Sequence, residues 1–367
     1  MRHAVLVPLL AALSCPLFAA PPPEFTVVDI GAAPDYPGGR SGAFSINDRG
    51  QVIGGNHHAF LWDRGKTKDL GSLPPEGPED TADSVAYGIN NHGQIVGSSG
   101  SFGPIFMSGL QFARGILYKD DRLRQFTQKN ASFIPYGIND KGRIVGLNGY
   151  RGFLYDNGKL IAFGTLSKMP EGNRSEARGI NDRGQVTGWS TVGKGKPLAD
   201  HAFLWQRGLA SSRMRDLGTL PSDQSSRAYG INDKGQAVGF SSSNAACWLP
   251  DAHIQACFWQ GGRVRGLGVL PGGRNSEALG INNGGRIVGW SEINHPLHSP
   301  AGDRHAFLWR GNILYDLNAL IPAASGWVVE EARAINNKGQ IVGSGRLNGQ
   351  PHAFLLTPAG TPPAPAE

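Results

Sequence analysis

The sequence is poor in cysteine and in charged residues, and it has no long apolar run beyond its N-terminus. Of 367 residues, 3 are cysteines and 17% are charged. With 40% hydrophobic residues the chain is too apolar for a disordered protein, and with Gly 53 and Pro 25 it is too rich in turn residues for a helical one. No segment after the N-terminus approaches the roughly 18 apolar residues of a membrane helix, so we predict no membrane span.

Charge of one sign is not concentrated in any segment. The net charge is +6, but lysine and arginine are scattered singly among the acids, with no basic run and no alternation of basic and aromatic residues. This pattern predicts no nucleic-acid partner. The excess positive charge would favour anionic surfaces weakly.

The first residues resemble a secretory signal. A cation at Arg2, an apolar run from Ala4 to Leu13 and small residues at Ala19 and Ala20 predict a signal peptide over residues 1–20, and hence a periplasmic or secreted protein. Leu13-Ser14-Cys15 also resembles a weak lipoprotein box, so anchoring through Cys15 is the alternative. Removal of the signal leaves Cys247 and Cys257, which an oxidising compartment would allow to form a disulfide.

A nine-residue motif recurs along the chain. Ile-Asn-(Asp/Asn)-x-Gly-(Gln/Arg)-x-x-Gly starts at Ile46, Ile89, Ile138, Ile180, Ile231, Ile281 and Ile335, at spacings of 43, 49, 42, 51, 50 and 54 residues. Each copy predicts a hairpin, in which Asn and Asp bond their own turn and Gly supplies a positive φ. A reading of the second Asp or Asn as a calcium ligand is disfavoured, because one carboxylate per repeat is far from a calcium cage.

Two further strand-like elements accompany the motif. One is His-Ala-Phe-Leu-Trp or a variant, at residues 58–62, 114–118, 151–155, 201–205, 255–259, 305–309 and 352–356. The other ends near Asp-Leu-Gly and is predicted over residues 68–73, 123–127, 160–166, 215–220, 265–270 and 315–320. Together with the hairpin, they predict four strands per repeat. Both faces of the second element are largely apolar, as expected for a sheet packed between two others.

The last repeat lacks its final strand, and the missing copy lies at the other end of the chain. Phe25-Thr-Val-Val-Asp-Ile-Gly31 carries the same pattern as the Asp-Leu-Gly element. A ring explains this offset, because the N-terminal strand would complete the last repeat and leave no open edge. We therefore predict an all-β chain forming one seven-bladed β-propeller of four-stranded blades over residues 25–357, closed by strand 25–31. A flexible tail rich in Pro and Ala is predicted over residues 358–367.

The paired motifs resemble the HAF-type extracellular repeat of bacterial proteins, across nearly the whole mature chain. The resemblance implies an exported bacterial protein and brings no established catalytic residues. Three copies depart from the pattern, with Arg114 and Arg151 in place of His in the second and third, and with Gln255 and Cys257 in the fifth. A role that needs an imidazole in every blade is therefore disfavoured.

The repeated histidines are predicted to be structural. His, Arg and Gln at this position share a side-chain N–H donor. Blades that keep the His also keep the Asp of the third element, and blades that lose one lose both. This covariation predicts hydrogen-bonded pairs between His58, His201, His305 and His352 and, respectively, Asp69, Asp216, Asp316 and Asp29.

The repeats differ most in blades 4 to 6. The residue after the last Gly of the motif is aromatic there, as Trp189, Phe240 and Trp290, and the loops that follow are long and polar. We predict a polar recess with an aromatic floor, which would bind the apolar face of a sugar or a peptide side chain. Its candidate residues also include Lys194, Asp200, Trp248, His253, Glu292, His295 and Asp303. The alternative is that the three aromatic residues only pack between blades.

No catalytic or cofactor motif is recognisable in the sequence. The leading interpretation is a monomeric, non-enzymatic binding or scaffold protein for a glycan, peptide or protein, with no cofactor and no metal. The first alternative is an extracellular carbohydrate-active enzyme, a lyase or glycosidase, with its site at the mouth of the propeller. The second is a structural protein of the cell envelope.

Overall fold

The protein is a seven-bladed β-propeller, as the sequence predicted. The computed structural model describes residues 24–32, 42–56, 58–77, 83–100, 113–126, 132–167, 173–193, 199–207, 212–246, 252–294 and 303–360. Seven antiparallel four-stranded sheets form the blades, and the other regular elements within these ranges are two short 3₁₀ turns, Leu317–Ala319 and Ala323–Ser325. The predicted signal peptide and residues 361–367 of the predicted tail lie outside the described residues.

The first strand of each blade lies nearest the axis. These strands are β2 (Gly42–Ile46), β6 (Ser84–Ile89), β10 (Phe133–Ile138), β14 (Ser175–Ile180), β18 (Ser225–Ile231), β22 (Ser276–Ile281) and β26 (Trp327–Ile335). Each contacts the first strand of the next blade, and β26 contacts β2, so the ring of inner strands is continuous.

The remaining strands follow outward in each blade. The second strands are β3 (Val52–Asn56), β7 (Ile95–Ser99), β11 (Ile144–Asn148), β15 (Val186–Val192), β19 (Ala237–Ser242), β23 (Ile287–Ile293) and β27 (Ile341–Leu347). The third strands are β4 (His58–Asp63), β8 (Arg114–Lys119), β12 (Arg151–Asp156), β16 (Ala199–Arg207), β20 (Ile254–Gln260), β24 (Asp303–Arg310) and β28 (Gln350–Pro358). The outer strands are β5 (Lys66–Gly71), β9 (Arg122–Gln125), β13 (Lys159–Ala162), β17 (Ser212–Asp216), β21 (Arg263–Gly268), β25 (Ile313–Asp316) and, for the seventh blade, β1 (Phe25–Ala32).

Strand β1 closes the ring, which confirms the prediction made from the circular offset. It pairs antiparallel with β28, with Phe25 opposite Pro358 and Ala32 opposite His352. A second contact fixes the same end of the chain to blade 6, because the Glu24 carboxylate accepts two bonds of 2.7 Å from the guanidinium of Arg310. Strand β28 therefore has a hydrogen-bonded neighbour on both sides, and the seventh blade has four strands like the others.

Most outer strands begin and end about two residues earlier than predicted. β5 ends at Gly71 and β17 at Asp216, whereas the predicted strands ended at Leu73 and Leu220. Gly71 and Gly218 both have a φ of +73°, which turns the chain away from the sheet. The Asp-Leu-Gly sequence is thus the exit from the blade.

The hydrophobic core lies between blades. Between blades 5 and 6, for example, Val238 and Ala256 pack against Ile287, Phe307 and Trp309 of the next blade. Phe307 and Ile287 are fully buried, and burying such a side chain contributes about 1.5–3 kcal/mol. The two apolar faces predicted for each blade therefore pack against the two neighbouring blades.

The last Gly of the motif is required by the approach of two strands. A bulge between Ala228 and Gly230 in β18 places the carbonyl oxygen of Arg227 over Gly239 in β19. A Cβ added at Gly239 would lie 1.9 Å from that oxygen. A side chain at this position would therefore force the two strands apart.

The two ends of the ring differ in their connections. The turns between first and second strands, and between third and outer strands, open on one end, which we call the short-turn face. The links from second to third strands, and from one blade to the next, open on the other end, which we call the loop-rich face. Within the described residues, no helix has the length and apolar character needed to cross a membrane.

Candidate functional site

The short-turn face carries a closed ring of hydrogen bonds made by the first Asn of the motif. The side-chain nitrogen of Asn47 donates to the carbonyl of Asn90 at 3.0 Å, and that of Asn336 donates to the carbonyl of Asn47 at 3.0 Å. The same bond runs from Asn90 to Asn139, Asn139 to Asn181, Asn181 to Asn232, Asn232 to Asn282 and Asn282 to Asn336. All seven asparagines are buried. Since a buried polar group without a partner costs about 1–3 kcal/mol, this ring stabilises the closed propeller.

A second ring is made by the Asp or Asn that follows. The backbone N–H of Asp48 donates to Oδ1 of Asn91 at 2.8 Å, and that of Asn337 donates to Oδ1 of Asp48 at 2.8 Å. The same bond joins Asn91 to Asp140, Asp140 to Asp182, Asp182 to Asp233, Asp233 to Asn283 and Asn283 to Asn337. The prediction that both residues bond their own turn is wrong for this one, because its side chain bonds the preceding blade.

The first Asn does bond its own turn, as predicted. Oδ1 of Asn47 accepts from the backbone N–H groups of Arg49 and Gln51 at 3.0 Å each. The Gly of this turn, Gly50, has a φ of +84°, as the prediction required. One asparagine side chain thus shapes a turn and joins it to the next blade.

The second ring surrounds a polar cavity of about 270 Å³ at the mouth of the central channel. Its aspartates are Asp48, Asp140, Asp182 and Asp233. Asp182 has an aspartate on either side, and burial together with the negative charges of Asp140 and Asp233 raises its pKa, although the N–H of Asp140 opposes this. No group of three His, Cys, Asp or Glu side chains suited to a metal ion occurs among the described residues.

Aromatic and guanidinium groups stack around the channel behind these rings. The rings of Phe44 and Tyr87 lie 6.2 Å apart, and those of Tyr87 and Tyr136 lie 5.4 Å apart. The Arg178 guanidinium lies 3.9 Å from the centroid of Tyr136 and forms an ion pair with Glu176. Burial raises the pKa of Tyr87 and of Tyr136, so both phenols stay neutral. These contacts join the inner strands of neighbouring blades.

On the loop-rich face, Arg227 joins two of the predicted ligand-binding residues. Arg227 belongs to β18 of blade 5, whereas Trp189 and Asp200 belong to β15 and β16 of blade 4. Its Nη2 donates to Oδ2 of Asp200 at 2.5 Å, and its guanidinium carbon lies 4.5 Å from the centroid of Trp189. Asp200 is buried and Trp189 half-buried. The arrangement presents an indole, a guanidinium and a carboxylate at one boundary between blades.

A related group lies in blade 6. The Trp290 indole donates to Oε2 of Glu277 at 2.8 Å, and the exposed Arg304 guanidinium lies 3.8 Å from the Trp290 centroid. Trp290 is only 4% exposed, and so is Phe240, whose ring lies 6.0 Å from that of Tyr229. Of the three predicted floor residues, Trp189 is therefore the one that remains partly accessible.

The other predicted ligand residues are spread over the same face. Glu292 is buried, and its two oxygens accept from the backbone and side chain of Asn275 at 3.0 Å each, so it holds the link between blades 5 and 6. Asp303 is exposed at the start of β24, and His253 is half-buried and joined to Ser243 through its backbone. Lys194, Trp248 and His295 lie outside the described residues.

Cys257 faces a neighbouring blade. It is a free thiol, fully buried in a cluster with Ala202, Leu217 and Trp259, and burial raises the pKa of its thiol. Cys247 lies outside the described residues. The predicted disulfide between the two has no support from the position of Cys257.

The four predicted His–Asp pairs are all present. Nδ1 of the histidine lies 2.9 Å from the aspartate in the His58–Asp69, His201–Asp216 and His352–Asp29 pairs, and 2.6 Å in the His305–Asp316 pair. Each aspartate also accepts a backbone N–H two residues later. These side chains join the third strand to the outer strand of one blade, so they are structural contacts.

Sequence reasoning missed Glu176, Arg227 and Glu277. Each stands four residues before the motif Ile and lies opposite the aromatic residue of the same blade, Glu176 opposite Trp189, Arg227 opposite Phe240 and Glu277 opposite Trp290. The register of the motif hairpin was therefore the signal that would have found them. The contact of Arg227 with Asp200 of blade 4 joins residues 27 positions apart in the sequence, and no sequence periodicity predicts it.

The comparisons with known proteins concern the fold. The chain matches no protein-family model and no curated protein. Among solved structures it is similar to the extracellular domain of a putative one-component system from B. thetaiotaomicron, with 10% identity and a TM-score of 0.50 over 90% of this chain and 39% of that one. It is also similar to the β-propeller domain of the Trilobed protease from Pyrococcus furiosus, with 11% identity and a TM-score of 0.49 over 87% and 96% of the two chains. Because this chain spans well under half of the first structure, the likeness supports the propeller fold alone.

Proposed function

We propose that this protein is an exported, non-enzymatic binding protein that recognises a glycan, a peptide or a protein segment on its loop-rich face. The binding sector is the part of that face formed by blades 4 to 6. The observation that carries the proposal is the group of Trp189, Asp200 and Arg227 at the boundary of blades 4 and 5.

This group combines the two properties that such ligands need. The partly accessible indole of Trp189 offers an apolar surface for a sugar ring or a peptide side chain. Arg227 and Asp200 hold each other in place and fix the orientation of polar groups beside that surface. Arg304 supplies a further exposed guanidinium two blades along from Trp189.

The carboxylates of the sector favour binding over glycoside hydrolysis. A glycosidase needs two carboxyl groups about 5–10 Å apart, one acting as an acid and one as a base or nucleophile. Here Asp200 accepts from Arg227, Glu277 from the Trp290 indole and Glu292 from Asn275. These three are engaged in holding neighbouring side chains or loops, whereas Asp303 is exposed at the start of β24.

Purified protein screened against glycans and peptides by thermal shift tests the proposal. The affinity of any ligand found should then be measured for Trp189→Ala and for Tyr150→Ala, an exposed aromatic residue on the same face in blade 3. We expect at least a tenfold loss of affinity for Trp189→Ala and less than a twofold change for Tyr150→Ala.

Two results would reject the proposal. Equal losses in both variants would show that the sector is not the binding site. Release of shorter fragments from a bound glycan would favour the carbohydrate-active enzyme instead.

A further inference from the structure

The short-turn face carries a ring of exposed cations. The residue between the second-ring Asp or Asn and the turn Gly is a lysine or arginine in five blades, at Arg49, Lys141, Arg183, Lys234 and Lys338, and all five are exposed. Blade 6 has Gly284 there but exposes Arg286 two residues later. Positive charge thus stands at the turn tip in five of the seven blades and beside the turn in a sixth.

The two hydrogen-bonded rings hold these cations at one level. Because equivalent side chains and backbone groups join every turn to its neighbours at 2.8–3.0 Å, the seven turns occupy equivalent positions around the channel. A residue at the same place in each turn therefore lies in a common plane. The cations are arranged as a flat ring by the fold itself.

The acids of this face offset the cations only in part. Asp48, Asp140, Asp182 and Asp233 are half-buried, and their Oδ1 atoms are engaged by the neighbouring turns. Farther from the axis, the hairpins between third and outer strands expose Arg64, Lys119, Arg207 and Arg263. The exposed acids there are Asp120 and Asp121, and Asp121 is paired with Lys68 at 2.8 Å. Two less exposed acids, Asp63 and Asp156, lie 3.9 Å from Arg64 and 3.6 Å from Arg207.

We propose that the short-turn face docks on the anionic surface of a lipid bilayer, with its turn-tip cations against the headgroup phosphates. Cations spread around a flat ring match an extended charged plane. A nucleic-acid chain is recognised instead by a groove or stripe of cations interleaved with aromatic residues, which this face lacks among its described residues.

Docking in this way orients the molecule. The loop-rich face lies at the opposite end of the ring, so it would point away from the bilayer with its blade 4 to 6 sector open to solvent. The docking surface stands independently of the ligand proposed above, since the two use different residues and different ends of the propeller.

Co-sedimentation of the purified protein with vesicles tests the proposal. Vesicles of phosphatidylcholine alone are compared with vesicles that also contain phosphatidylglycerol, at low and at high salt. The test variant combines Lys141→Gln, Lys234→Gln and Lys338→Gln. The matched control combines Arg174→Gln, Arg215→Gln and Arg274→Gln, which removes the same charge from exposed positions outside the short-turn face. The test positions tolerate uncharged residues, as Gly284 shows.

We expect binding to the phosphatidylglycerol vesicles only, weakened by salt. At about fivefold per cation, the test variant should bind on the order of a hundredfold more weakly, while the control changes less than tenfold. Three results would each overturn the proposal. One is no binding to the anionic vesicles at low salt. Another is an equal loss in both variants, which would indicate a response to net charge alone. The third is binding to a DNA duplex but not to vesicles, which would assign the face to a polyanionic chain.

Discussion

The two faces of the propeller are built from the same seven repeats, yet one is uniform and the other is not. On the short-turn face every blade contributes an Asn to one closed ring of hydrogen bonds and an Asp or Asn to a second. On the loop-rich face, the position four residues before the motif Ile holds Glu176, Arg227 and Glu277 in blades 4, 5 and 6. Each lies beside an aromatic residue, and these aromatic residues differ in exposure. The uniform face closes the ring, and the divergent face is free to acquire a ligand.

The difference follows from the number of hydrogen-bond partners that depend on each side chain. The side chain of each asparagine bonds its own turn and the turn of the next blade, so a change in one blade leaves buried groups without partners in two. A loop on the other face connects elements of its own blade or of one neighbour. Substitutions there are tolerated as long as the buried ends of the strands remain packed.

Removing the closing strand β1 should destabilise the protein most, because it opens the ring that both faces share. Deletion of residues 24–32 exposes the edge of β28 and removes the buried side chains of Phe25 and Ile30. We expect loss of the cooperative thermal transition followed by circular dichroism, with aggregation. Deletion of residues 361–367 is the control and should leave the transition unchanged. A folded protein without residues 24–32 would contradict ring closure.

Breaking one bond of the Asn ring should be the next largest effect. Asn232→Ala removes the acceptor of the Lys234 and Gln236 N–H groups and the donor to the Asn282 carbonyl. We expect the free energy of unfolding in urea to fall by about 3 kcal/mol. Lys234→Ala in the same turn removes only an exposed side chain and should cost less than about 0.5 kcal/mol. Similar losses in the two variants would show that the ring contributes little.

The His–Asp pairs on the loop-rich side should contribute less, and in a way that depends on pH. Burial alone would raise the pKa of Asp216, but its bonds from His201 and from the Gly218 N–H lower it overall. A carboxyl whose pKa is lowered by folding stabilises the protein above its unfolded value of 3.8, and this contribution is lost as the pH falls through the folded value. Asp216→Asn should therefore cost about 1 kcal/mol at pH 7 and less at pH 3, which lies below the unfolded value. Urea unfolding at the two pH values measures this, and a cost independent of pH would contradict it.

A substitution in the second ring should have the smallest effect and the opposite sign. Asp182 has an aspartate on each side, whereas Asn91 and Asn337 use their side-chain nitrogens to bond neighbouring aspartates at 2.9 and 2.8 Å. Asp182→Asn keeps the acceptor for the Asp140 N–H and removes the repulsion that raises the Asp182 pKa. We expect a gain of roughly 0.5 kcal/mol, or about 1 °C in Tm. Asn91→Asp should act in the reverse direction, and a loss of stability in Asp182→Asn would contradict this view of the ring.

The fold was largely predictable because it depends on local and repeated signals. The turn glycines, the strand patterns and the stray strand at Phe25 are each visible in one stretch of sequence. The His–Asp pairs could be predicted because seven repeats in one chain provide an internal comparison. What this comparison could not show was that the second Asp or Asn bonds across blades, since a residue shared by every repeat fits a local turn equally well.

The candidate site was predictable only as a region. Blades 4 to 6 differ from the others in sequence, and the structure places Trp189 and Asp200 together there. The burial of Phe240 and Trp290 could not be read from the strand pattern, because it depends on the side chains of adjacent strands. Arg227 was missed because its partners belong to another blade.

Hydrogen–deuterium exchange of the seven second-ring amides tests the division between the two faces most directly. These are the backbone N–H groups of Asp48, Asn91, Asp140, Asp182, Asp233, Asn283 and Asn337. If the ring is continuous, all seven should exchange slowly and at similar rates, including the Asn337 amide, which donates to Asp48 where blade 7 meets blade 1, while loop-rich-face amides vary widely. Fast exchange at Asn337 alone would show an open ring.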